Sequence, residues 1–145
     1  MKQSAKKQNA QLMPMISVDS VDQVRAFYVE KLGFSHMMGM LGKDGQLDFC
    51  TVTLGGAKVM LTRTQEKMEG TSTGSSKRPV EIYLEVADVD GFHNEVKKKG
   101  VKITEALTDQ WWGDRTFKVM DPVGYQIWFY QTVGEIKPPQ GAKIV

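Results

Sequence analysis

The sequence predicts an α+β domain made of two copies of one βαβββ unit, and three observations carry that prediction. A stretch recurs at a fixed offset. Val18-x-x-Val21-Asp22 leads to Leu32-Gly33, and Val86-x-x-Val89-Asp90 leads to Lys99-Gly100, 68 residues later at the start and 67 at the glycine. Each copy opens with a short apolar run, Leu12 to Val18 and Val80 to Val86, and then shows apolar residues at helical spacing. Each closes with three short strand-like runs separated by turn residues. One such unit cannot bury both faces of its sheet. Two side by side are expected to form a curved mixed sheet, helices on the convex face and a concave pocket on the other.

The elements follow in order. The first helix is carried by Val21, Val24, Phe27 and Tyr28, and the second by Val89, Phe92 and Val96. Asp19 or Ser20, and Asp88, stand where N-caps belong, and Gly33 and Gly100 where a helix ends in positive φ. Strands are expected near 35–41, 47–54 and 57–62 in the first copy, and near 102–107, 115–120 and 126–132 in the second. Asp44-Gly45 and Gly55-Gly56 supply hairpin turns in the first copy, and Asp121-Pro122-Val123-Gly124 joins the last two strands of the second. The domain is thus expected over 12–133, as units 12–62 and 80–133 joined by a linker over 63–79 rich in Gly, Ser and Thr. Residues 1–11 read as a flexible basic tail and 134–145 as a C-terminal tail.

Composition narrows the function classes. With 145 residues, 41% hydrophobic and 25% charged, the chain suits one globular domain rather than a disordered or fibrous one. No run approaches the roughly 20 apolar residues of a membrane helix, and the N-terminus lacks the apolar core of a secretory signal, so no membrane partner is expected. The one cysteine, Cys50, reads as a buried hydrophobe in a reducing compartment, the cytoplasm. The net charge of +2 comes from the tails: the body, 12–133, holds 14 Lys and Arg against 16 Asp and Glu. Nucleic-acid binding needs clustered cations on a folded face, so it is not expected.

Two motifs point to a family. Phe27-Tyr28-Val29-Glu30-Lys31-Leu32-Gly33-Phe34 in the first half, and Trp112-Gly113, Phe117 and Asp121-Pro122-x-Gly124-Tyr125 in the second, resemble the signatures of the vicinal oxygen chelate superfamily. That superfamily holds glyoxalase I, bleomycin-resistance proteins and extradiol dioxygenases, and the resemblance covers roughly 12–132. Its metal-dependent members hold a divalent ion with four His, Glu or Gln side chains, one on the first and one on the last strand of each unit. The resemblance assigns those positions to Met13, Leu61, Glu81 and Trp128. Only Glu81 is a usual ligand for such an ion, and neither His36 nor His93 falls at the site. No metal and no other cofactor is therefore expected. The metal-free members include binding proteins that sequester a drug.

Strand alternation predicts the concave face. Met13, Met15 and Ser17 are expected to point inward from the first strand, Val59, Leu61 and Arg63 from the fourth, Glu81, Tyr83 and Glu85 from the fifth, and Gln126, Trp128 and Tyr130 from the last. A face of methionines and aromatics with one carboxylate suits a flat, largely apolar ligand carrying a donor or a cation; the same side chains would also fill a cavity or an interface. Trp112 belongs to this face, while Trp111 lies at the pocket mouth or in a dimer contact. Glu81 has three open roles: acid or base, ligand recognition, or an ion pair with Arg63. Asp114-Arg115 reads as a turn and a surface pair. Three functions stay open: a metal-independent small-molecule-binding protein, a metal-independent enzyme working through Glu81, and an interaction module whose pocket is filled. The resemblance also implies a homodimer, since members often complete their sites between subunits.

Overall fold

A computed structural model of the chain describes residues 8, 11–64 and 78–145. Most of the expected N-terminal tail and linker lies outside the described residues. The first unit runs β1 (Met15–Val18), α1 (Val21–Ala26), β2 (Ser35–Leu41), β3 (Leu47–Leu54) and β4 (Ala57–Arg63). The second runs β5 (Ile82–Glu85), α2 (Val89–Lys98), β6 (Ile103–Asp109), β7 (Asp114–Met120) and β8 (Gln126–Thr132). The strands form two separate four-stranded sheets, β1-β4-β3-β2 and β5-β8-β7-β6, rather than one continuous curved sheet. In each, the first strand lies parallel to the last and the other pairs are antiparallel.

The helix ends obey local chemistry. Ser20, not Asp19, caps α1 by accepting from the Gln23 amide at 3.2 Å, and Asp88 caps α2 through the Gly91 amide at 3.1 Å. After Ala26 the first helix widens into a π turn over Phe27–Lys31. It ends with Gly33 at φ 79°, as α2 ends with Gly100 at φ 81°. The π turn carries Tyr28 into full burial between the edges of the Phe27 and Phe34 rings.

Each sheet buries one face. Ile16, Val18, Cys50, Val52, Val59 and Leu61 pack inward in the first unit, and Leu84, Phe117, Val119, Ile127 and Phe129 in the second, within one core. The two family motifs meet here. The Tyr28 hydroxyl donates to Asp121 Oδ2 at 2.7 Å across 93 residues of chain, while Asp121 Oδ1 accepts from the Val123 and Tyr125 amides. Burial pushes the Asp121 carboxyl up and these hydrogen bonds pull it back. The same burial holds the Tyr28 phenol well above its ordinary range. Lys31 Nζ adds a second link, to the Lys99 carbonyl at 2.9 Å.

Register corrects one expectation. Met60 pairs with Met15 and Leu61 with Ile16, so Leu61 lies on the helix side with Ile16. Leu61 is fully buried and Val59 nearly so. Residues directly opposite in a ladder share a face, and β3 agrees: Cys50 faces Leu61 and Val52 faces Val59, all in the core. Val59 and Leu61 are therefore core residues, and Met60 and Thr62 hold the open face. Arg63 follows the same parity, and it binds Asp44 at 2.9 Å, Asp48 at 3.1 Å and Gln46 at 3.0 Å, not Glu81.

Candidate functional site

The open face of the second sheet gathers most of the expected site residues. Tyr83 stacks on Tyr130 with ring centroids 4.4 Å apart, and Trp128 tilts against Tyr83 at 5.6 Å and Trp112 at 6.1 Å. The stacking follows from register. Tyr83 and Trp128 are partners across β5 and β8, with Glu85 and Tyr130 one row further. Glu81, just before β5, accepts from the Trp128 indole N–H at 3.0 Å and from the Gln126 amide. Glu85 accepts from the Tyr130 hydroxyl at 3.0 Å.

The strand β7 contributes what sequence reasoning missed. Asp114 is not a turn residue but the first residue of β7, almost fully buried, and it accepts from the Tyr83 hydroxyl at 2.6 Å and the Thr132 hydroxyl at 2.8 Å. The Trp112 indole donates in turn to the Tyr83 oxygen at 2.8 Å. Partial burial and the bond to Asp114 push the Tyr83 phenol up to about 12. Lys118, opposite Trp128 in the ladder, lays its ammonium 3.7 Å from the centre of the indole ring and pairs with Glu105 at 2.8 Å. With Phe117 and Val119 in the core, alternation along β7 would have placed Asp114 and Lys118 on the open face. Arg115, by contrast, does make surface pairs, with Asp109 and Asp90.

The first sheet's open face is different. Met13 and Met15 are exposed on and beside β1, Met60 neighbours Met15, and Met38 and Met40 lie opposite Thr51 and Phe49 across β2 and β3. The 68-residue offset relates the two faces position by position: Met13 to Glu81, Met15 to Tyr83, Met60 to Trp128 and Thr62 to Tyr130. Extending that offset to the fourth strand would have identified Met60 instead of Leu61.

With Met60 in place of Leu61, the four positions that the family resemblance assigns to a divalent ion become Met13, Met60, Glu81 and Trp128. Two thioethers and an indole are poor ligands for the borderline and hard ions that His, Glu and Gln hold, so the donor set does not fit. Among the described residues, no three His, Cys, Asp or Glu side chains are grouped to hold a metal. Of the remaining expected residues, Trp111 stands exposed at the rim, edge-on to Trp112, and its carbonyl accepts from the Lys137 amide at 2.6 Å. Cys50 is buried, and burial pushes its thiol up, as for an inert core cysteine. Among the described residues no helix is long and apolar enough to cross a membrane.

Comparison with known proteins agrees with this architecture. Residues 10–129 match the family model described as the Glyoxalase/Bleomycin resistance protein/Dioxygenase superfamily. An uncharacterized protein of Mycobacterium bovis is 33% identical over 129 residues, covering 86% of this chain and 85% of its own. A bleomycin resistance protein of Geobacillus stearothermophilus is 26% identical over 136 residues, covering 85% of this chain and 97% of its own. Among solved structures, TioX from Micromonospora sp. ML1 superposes with a TM-score of 0.69 at 23% identity, over 86% of this chain and all of that one. A glyoxalase/bleomycin resistance protein from Streptomyces sp. CB03234 superposes with a TM-score of 0.60 at 24% identity, over 82% and 97%. The paired βαβββ units, the Tyr28–Asp121 link between their motifs and these matches together place the chain in the glyoxalase/bleomycin resistance/dioxygenase superfamily.

Proposed function

We propose that the protein is a metal-independent small-molecule-binding protein of the glyoxalase/bleomycin-resistance type. Its ligand is apolar or aromatic, with a cation or hydrogen-bond donor to meet the acidic second face, and it lies against Tyr83, Trp112, Trp128 and Tyr130. The observation that carries the reading is the donor set: Met13, Met60 and Trp128 stand where metal-dependent relatives need polar ligands, and they offer surface for contact. Met15 and its neighbours supply an adaptable apolar wall of the kind thioethers make. A homodimer would cover these open faces, and a reducing cytoplasm suits the buried Cys50.

Native mass spectrometry of the purified protein tests this. The expected spectrum is a dimer without a divalent ion, and a co-purified organic adduct would give the ligand's mass. One divalent ion per site that survives a chelator wash would overturn the reading.

A further inference from the structure

A cavity of about 260 Å³ opens where the two units meet, between the end of β1, the start of α1 and the turn before β8. It differs from the aromatic face in one respect. On that face Glu85, Glu105 and Asp114 are each bonded to another side chain of the same sheet. In the cavity, Asp19 and Arg78 carry opposite charges, and among the described residues no ion pair joins them or ties either to another charge. Arg78 is nevertheless held in place: its amide donates to the Gly124 carbonyl at 2.8 Å and its Nε to the Val123 carbonyl at 3.1 Å. That leaves both Nη groups without a partner among the described residues. Ser17, Gln23 and Tyr125 add polar side chains to the same wall that no side-chain hydrogen bond within the described chain engages.

We infer that this junction cavity is a second binding site, for a small zwitterion of the α-amino-acid class. A guanidinium with two free Nη groups matches a carboxylate bidentately, and a carboxylate matches an ammonium. Val24 and Val123 line the remaining wall and suit an aliphatic side chain. The volume lies below the roughly 300–1,000 Å³ of clefts that take drug-sized ligands, which fits a small metabolite. The cavity shares none of Tyr83, Trp112, Trp128 and Tyr130 but includes Met15 of the apolar wall, and the Arg78 and Asp19 variants leave both that wall and the aromatic cluster unaltered.

The test is isothermal titration calorimetry of the intact protein with three probes of similar shape. These are L-leucine, 4-methylpentanoate, which lacks the ammonium, and 3-methylbutylamine, which lacks the carboxylate. Leucine is expected to bind once per chain, and each analogue at least about tenfold more weakly, a difference of about 1.4 kcal/mol. Arg78→Gln should bring leucine down to the amine, and Asp19→Asn should bring it down to the acid. The analogue comparison uses the unaltered protein, so it stands even if a variant folds poorly. Absence of leucine binding at millimolar concentration, or an analogue binding as tightly as leucine, overturns the inference.

Discussion

In the first unit the open face carries Met15, Met38, Met40 and Met60, side chains that can each re-pack without breaking a hydrogen bond. In the second, the corresponding strands carry Tyr83, Asp114, Lys118, Trp128 and Tyr130, each tied to at least one other by a hydrogen bond, a ring contact or the cation–π contact. The backbones are alike: same strand order, same parallel pairing, and one offset relating their residues. What differs is the consequence of changing a side chain. Core-facing positions stay aliphatic or aromatic in both units because the helices must bury against them. The open faces hold neither helix, so their chemistry can diverge. One became a soft apolar surface and the other a pre-organised aromatic one.

The largest expected effect sharpens the division between core and open face. Leu61→Ala should lower the unfolding free energy by about 2–5 kcal/mol, because it leaves a cavity in a packed core. Met60→Ala, one residue away on the open face, should cost well under that, and urea unfolding of the pair measures the contrast. Equal losses would mean that Met60 contributes as much to the packed core as Leu61 does.

Next comes the link between the units. Tyr28→Phe keeps the ring but removes the hydroxyl that reaches Asp121, leaving a buried acceptor short of one partner. The expected loss is about 1–3 kcal/mol in the same assay. A neutral result would show that the Tyr28–Asp121 bond adds nothing to what apolar packing and the Lys31–Lys99 link already supply.

The smallest effect probes the second face. Tyr83 is 45% exposed, so Tyr83→Phe should cost about 1 kcal/mol or less. Its titration is the sharper readout. The folded phenol is pushed up to about 12 from an ordinary 10, so its neutral form is favoured by the fold. That contribution is whole below pH 10 and is lost as pH rises from 10 through about 12. Burial also holds the Tyr28 and Tyr130 phenols above their ordinary range. Absorbance titration of tyrosinate should therefore lose one phenol's amplitude near pH 12 in Tyr83→Phe while the other late phenols remain. If the amplitude near pH 12 is unchanged in the variant, the Tyr83–Asp114 bond is not what sets this face.

Much of the fold was readable because its signals are local and repeated. Ser20 and Asp88 cap helices, Gly33 and Gly100 end them, and β2, β3 and β8 span the residues that alternation and turn chemistry indicate. The site was readable where one strand declares its own faces: Glu81, Tyr83 and Glu85 alternate with Ile82 and Leu84, and Gln126, Trp128 and Tyr130 with Ile127 and Phe129. It failed on β4, where Val59, Met60 and Leu61 are all apolar and alternation is silent. Asp114 failed for another reason: a charged residue next to a Gly-containing turn looks like surface, and only Tyr83 and Thr132 make its burial affordable.

The sequence by itself determined the duplicated βαβββ frame and the helix ends, and it puts poor ligands at three of the four positions that the family resemblance assigns to an ion, since periodicity, capping and residue identity act within a few residues. Tertiary structure alone decided that there are two sheets rather than one, that Leu61 is core, that Arg63 serves Asp44 and Asp48, and that Asp19 and Arg78 face one cavity. Each of those depends on cross-strand register or on how the units dock, and contacts between residues dozens apart leave no local trace in the chain.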